Sequence, residues 1–132
     1  YAGLATGRLP ELSLVTRDAE SLKFQDLGVH VDDLRMVRDG LRFCVEQGTA
    51  RRLDLKGVYA KTGTAEVNAS SGANNAWLAG YVVEGGPKLA FASVLYNVPD
   101  GSYGAAVAGP MIQYFLAGVR GDKDLSREFL QR

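Results

Sequence analysis

The stretch Gly57-Val58-Tyr59-Ala60-Lys61-Thr62-Gly63-Thr64-Ala65-Glu66-Val67 reads as a β-strand and decides the architecture. Valine, tyrosine and threonine favour extended backbone. The two-residue repeat of a strand puts Lys61 and Gly63 on one face and Thr62 and Thr64 on the other. Two hydroxyls side by side, a few ångströms from an ammonium, form a receptor for a carboxylate. On an edge strand the outward N–H and C=O groups are free to pair with an extended peptide. One such N–H, aimed at a carbonyl oxygen, can act as an oxyanion donor. Gly63 removes a side chain where a ligand or a neighbouring element comes close. Taken alone, Lys61-Thr62-Gly63-Thr64 is a weak signal, because a lysine and two threonines on a strand are most often strand formers only.

Two more strands follow. Asn75 to Val83 has almost no polar position after Ala76, the pattern of a strand covered on both faces. Lys88 to Val98 segregates its sizes, with Leu89, Phe91, Ser93 and Leu95 on one face and Ala90 and Ala92 on the other. The small face is expected to let a helix sit close. Glu84-Gly85-Gly86-Pro87 reads as a hairpin turn, which makes the last two strands antiparallel. The polar loop Asn68 to Asn74 makes the first two antiparallel as well.

The helices are read from a different period. Leu34, Val37, Leu41, Cys44 and Val45 form an apolar stripe at helical spacing, with Asp32 or Asp33 as the expected cap and Gly48 as the stop. Gly40 inside the stripe is expected to mark close packing. A second helix is expected from Gly104 to Val119, with Pro110 kinking it or lying near its start. Tyr1 to Ala5 reads as the last turns of a helix closed by Gly7, so a longer parent chain is expected. Arg8 to Val31 reads as extended and loop-like. Arg120 to Arg132 reads as a charged tail, in which Leu125, Phe129 and Leu130 are spaced to dock weakly. The fold class is therefore α+β: three antiparallel strands flanked by helices.

Composition excludes several functions. The 132 residues are 46% hydrophobic and 23% charged, ordinary for a globular domain. Fifteen Lys and Arg balance fifteen Asp and Glu, which speaks against nucleic-acid binding and against a polybasic membrane surface. One cysteine forms no internal disulfide. With a single His and a single Cys, no His/Cys metal site is expected, and no cofactor. Cys44 reads as a small core residue, His30 as structural, and Trp77 and Tyr81 as core packing on a shared face. Glu66 follows Thr64 on the same face, where a solvated strand end is the default.

Several motifs in order carry more information than one tetrapeptide. Gly48-Thr49-Ala50-Arg51-Arg52, then Lys61-Thr62-Gly63-Thr64-Ala65-Glu66-Val67, then Asn75-Ala76-Trp77-Leu78-Ala79-Gly80-Tyr81 resemble the C-terminal part of penicillin-binding protein transpeptidase domains. The resemblance continues through Leu89 to Asn97 and the small-residue helix with Pro110, and includes Tyr1 to Val15. Residues 1–119 are thus expected to be the C-terminal portion of such a domain, with 120–132 as a tail. Gly48-Thr49-Ala50 leans toward a class B, elongation-type member.

The resemblance implies a serine D,D-transpeptidase of peptidoglycan cross-linking, with three motifs, Ser-x-x-Lys, Ser-x-Asn and Lys-Thr-Gly. Its partners would be D-Ala-D-Ala stem peptides, β-lactams and the rest of the parent domain. It would act on the extracytoplasmic face of the bacterial cytoplasmic membrane, anchored through an N-terminal segment not included here. Lys61 and Thr64 would be catalytic. Lys61 would supply positive field, and the Thr64 N–H would be one of two oxyanion donors. Thr62, Gly63 and Thr64 would bind substrate, with the two hydroxyls on its carboxylate. The family's serine and lysine belong upstream of the Lys-Thr-Gly strand. Here Ser13 is followed three residues on by Thr16 and Ser21 by Phe24, so neither starts Ser-x-x-Lys. The chain is expected to hold one wall of an active site and to be inactive alone. A β-lactam-sensing module, or a related carboxypeptidase or β-lactamase, is the alternative.

Overall fold

The computed structural model describes residues 1–12, 23–68, 72–83 and 89–120. In chain order the elements are α1 (Ala2–Thr6), β1 (Arg8–Pro10), β2 (Phe24–Asp26), α2 (Val31–Glu46), a 3-10 turn (Arg51–Leu53), β3 (Val58–Asn68), β4 (Ala73–Val82), β5 (Leu89–Val98) and α3 (Tyr103–Arg120). The expected hairpin turn at 84–87 and the charged tail from 121 onward lie outside the described residues, as do Ser13 and Ser21.

The main sheet runs β3-β4-β5, antiparallel throughout, as its sequence pattern predicts. Thr62 stands opposite Leu78 and Gly63 opposite Trp77. Leu78 in turn faces Ser93 on β5. Val58, Ala60, Leu78 and Val82 point to one side, where Leu53 and the Ala105, Ala108, Ile112 and Leu116 stripe of α3 close over them. Cys44 and Val45 join this core from the end of α2.

The expectation for β5 is reversed. Leu89 and Phe91 pack against the core beneath α3, and Ala90 and Ala92 lie on the opposite face. The close approach comes from the helix instead. A β-carbon on Gly109 would lie 2.7 Å from the Leu53 carbonyl oxygen. Gly109 thus lets α3 lie close against the 3-10 turn, while Ala105 and Ala108 share the core with Leu89 and Phe91. Pro110 sits inside α3 and removes the donor that the Ala106 carbonyl would otherwise receive.

Four other expectations change. Arg8 to Val31 is not all loop, because β1 and β2 pair antiparallel with Arg8 opposite Asp26. The cap of α2 is His30, whose Nδ1 accepts from the Asp32 N–H at 3.4 Å. Asp32 and Asp33 lie one step inside, in the first turn, where they still face the positive end of the dipole. On the stripe of α2, Leu34, Leu41, Cys44 and Val45 are buried but Val37 is exposed, and nothing lies within 4 Å of the place a Gly40 β-carbon would take. Gly40 therefore marks no close packing among the described residues.

Strand β4 is covered on both faces only over part of its length. Tyr81 is buried, stacked on Tyr59 with ring centres 5.0 Å apart. Trp77 shares that face but is 43% exposed, because the cover ends before the strand reaches it.

Candidate active-site cleft

Strand β3 forms one border of the sheet. One contact fixes which way its peptide groups point. Lys61 Nζ donates to the Thr62 carbonyl at 2.7 Å, so that carbonyl faces away from β4, and in an antiparallel strand the N–H of the same residue points the same way. The two-residue repeat sends the Thr64 N–H and C=O the same way.

Beside this edge is a cleft of about 520 Å³. Its walls include Thr49, Arg51, Arg52, Thr62, Thr64 and the loop 100–102. Thr62 and Thr64 share one face of β3, and both line the cleft. Lys61 is exposed and does not line the cleft. Its ammonium lies along the strand edge, held on the Thr62 carbonyl. Gly63 lies on the opposite face, where a β-carbon would be 3.5 Å from Trp77 Cβ. Glu66 is exposed and lies outside the cleft.

The end of α2 forms the near wall. Gly48 N–H donates to Phe43 O and Ala50 N–H to Cys44 O, both at 3.0 Å. The turn folds so tightly that a β-carbon on Gly48 would stand 2.8 Å from Cys44 Cα. It delivers Thr49 to β3, with Thr49 Oγ1 2.5 Å from Thr62 Oγ1 and 3.5 Å from Cys44 Sγ. Burial pushes the Cys44 thiol up. The Thr49 hydroxyl, the Thr62 and Ala50 N–H groups and the field of Lys61 together outweigh it, so the thiol sits below its usual range.

The far wall is the turn after β5. Asp100 accepts from the Ser102 N–H at 2.9 Å and from the Ser102 hydroxyl at 2.8 Å. These bonds, with a smaller contribution from Arg52, hold the Asp100 carboxyl below its usual range against slight desolvation. Arg52 Nη1 donates to Ser102 Oγ at 3.5 Å. The cleft thus carries two guanidinium groups and one carboxylate already engaged by its own turn. Hydroxyl donors, a cationic wall and an outward strand amide suit an anionic, peptide-like ligand.

Reading the strand alone misses Thr49, Arg51, Arg52 and the Asp100-Gly101-Ser102 turn. The first three lie within Gly48-Thr49-Ala50-Arg51-Arg52, whose compactness marks a motif but not a wall. The turn carries no signal of its own, since it reaches the cleft only through β5 pairing. Among the described residues, no group of three or more His, Cys, Asp or Glu could hold a metal ion. None of the helices there is long and apolar enough to cross a membrane.

No curated protein and no solved structure matches the chain. A family model does: the penicillin binding protein transpeptidase domain, over residues 1–117. That match spans the helix-turn wall, the β3 edge and the Asp100 turn together. The chain belongs to the penicillin-binding protein transpeptidase domain family.

Proposed function

We propose that this chain supplies one wall of a serine D,D-transpeptidase that cross-links peptidoglycan stem peptides and is acylated by β-lactams. Membership of the family gives the coarse activity, acyl transfer in cell-wall synthesis. The observation that carries the finer reading is the β3 edge, with its outward Thr64 amide beside two cleft-facing hydroxyls. Thr62 and Thr64 hydroxyls bind the carboxylate of the D-Ala-D-Ala terminus or of the β-lactam. The Thr64 N–H donates to the developing oxyanion. Lys61 adds positive field at the strand edge. Arg51 and Arg52 extend the field that draws in an anionic peptide.

The 132 residues contain no Ser-x-x-Lys and no Ser-x-Asn. In this reading the nucleophile and its base lie in a part of the protein outside them. The activity is placed on the extracytoplasmic side of the cytoplasmic membrane, where peptidoglycan is assembled.

The test is acylation of the intact protein by a fluorescent penicillin. Lys61→Ala and Thr64→Ala should each slow acylation with little loss of folding, because both side chains are exposed. Losing a hydrogen bond to a charged group costs about 1.5–3 kcal/mol, roughly ten- to a hundredfold in rate. Wild-type rates in both variants would overturn the site assignment.

A further inference from the structure

We infer that Thr49 is a positioning residue that sets the direction of the Thr62 hydroxyl, an inference that rests on reading Thr62 as a carboxylate-binding residue. A threonine hydroxyl has one proton to give. If Thr62 spends it on Thr49, it meets a carboxylate with lone pairs only and repels it. If Thr49 donates to Thr62, the Thr62 proton is free for the ligand. The 2.5 Å contact between the two Oγ1 atoms allows either direction.

An anion in the cleft selects the direction, with Cys44 at the buried end of the chain. Its sulfur lies 3.5 Å from Thr49 Oγ1. A neutral thiol donates S–H to Thr49, Thr49 donates to Thr62, and Thr62 donates outward. Every proton in that chain points toward the cleft, and an anion at its end strengthens each bond. The reverse order ends with Thr49 donating to sulfur and Thr62 turned away. The chain is thus complete from a buried end at Cys44 to an open end at Thr62.

The backbone holds this arrangement. Gly48 has no room for a side chain against Cys44. Ala50 is fully buried and its N–H donates to Cys44 O. Arg51 N–H donates to Gly48 O at 3.2 Å. Thr49 lies between anchored neighbours, so its hydroxyl is set by the turn. Gly48-Thr49-Ala50 then has one physical reading: glycine for the close turn, threonine for the relay, alanine for the core.

The test compares a penicillin with its free carboxylate against the methyl ester of the same penicillin, on the intact protein. Thr49→Val keeps the shape and removes the hydroxyl. It should slow acylation by the acid about fivefold, the scale of one ordinary hydrogen bond, and leave acylation by the ester at the wild-type rate. Thr49→Ser should restore the acid rate. Equal slowing of acid and ester, or no rescue by serine, would make Thr49 merely structural and overturn the inference. Thr62→Val is run alongside. If it slows the acid and Thr49→Val does not, the inference fails and the reading of Thr62 stands. If Thr62→Val leaves the acid rate unchanged, the reading of Thr62 falls and takes the inference with it.

Discussion

A β-carbon on Gly101 would overlap the Thr64 hydroxyl. The turn after β5 is thus packed directly on the strand that carries the Lys-Thr-Gly sequence. Glycine at 101 is what lets the Thr64 side chain keep its place in the cleft.

Gly101→Ala should therefore act on both stability and acylation. The added methyl must displace either the Thr64 side chain or the turn, at about 1–3 kcal/mol for overpacking. The double variant Gly101→Ala, Thr64→Ala removes Oγ1 and should lose less stability than the two single changes added together, by at least about 0.5 kcal/mol. Urea denaturation of the four proteins measures this. Strict additivity would show that the two residues do not meet.

Two glycines of the α2 region give opposite expectations. At Gly48 a β-carbon would lie 2.8 Å from Cys44 Cα and 3.0 Å from Cys44 O. Neither backbone atom can rotate away, so Gly48→Ala should cost about 1–3 kcal/mol. Gly40 lies within the helix with open space around it. Gly40→Ala should stabilise the protein by about 0.5–1 kcal/mol through helix propensity. Melting temperatures should move in opposite directions, and a drop at Gly40 would mean that another part of the protein covers it.

The Asp100 turn has a pH signature. Its folded-state carboxyl is held below the usual value, first by the Ser102 N–H and then by the Ser102 hydroxyl. A depressed carboxyl stabilises the folded state above the unfolded pKa, and the effect is lost as pH falls through the folded pKa. The stability gap between wild type and Asp100→Ala should thus be level from neutral pH to about pH 4, the ordinary carboxylate value, and shrink below it. Denaturation curves across this range measure the gap. A gap that grew on acidification would contradict the hydrogen bonds to Ser102.

Sequence periodicity was sufficient for the sheet, because alternation and short connections leave few ways to pair β3, β4 and β5. It also placed Thr62 and Thr64 on one face, which follows from strand geometry alone. It failed where partners are distant. The side of β5 that meets α3 depends on the small residues of the helix, not on those of the strand. Trp77 and Tyr81 share a face and differ in cover, which no pattern within β4 can reveal. Thr49 and Gly101 reach the cleft through the turn after α2 and through β5 pairing, and each looks unremarkable in its own segment. The His30 cap was missed because two aspartates beside it are the commoner caps.

The last expectation concerns the 132 residues by themselves. Acylation by a β-lactam forms a bond between a nucleophilic oxygen and the lactam carbonyl carbon, with a base to take the proton. Thr62 and Thr64 carry hydroxyls, but the nearest cationic group on β3, Lys61 Nζ, is committed to the Thr62 carbonyl. Cys44 is the one thiol, and it is buried behind Thr49. None of these three pairs a nucleophile with a base, and the Ser102 hydroxyl on the far wall meets only Asp100, whose carboxyl is held below its usual range and is a weak base. An oxyanion donor without a nucleophile lowers no barrier to acylation. Incubated with a fluorescent penicillin and denatured, the chain should carry no covalent label, whereas the intact protein should be labelled. A label on the chain alone that survives denaturation would place a nucleophile within these residues and overturn the division of the site proposed above.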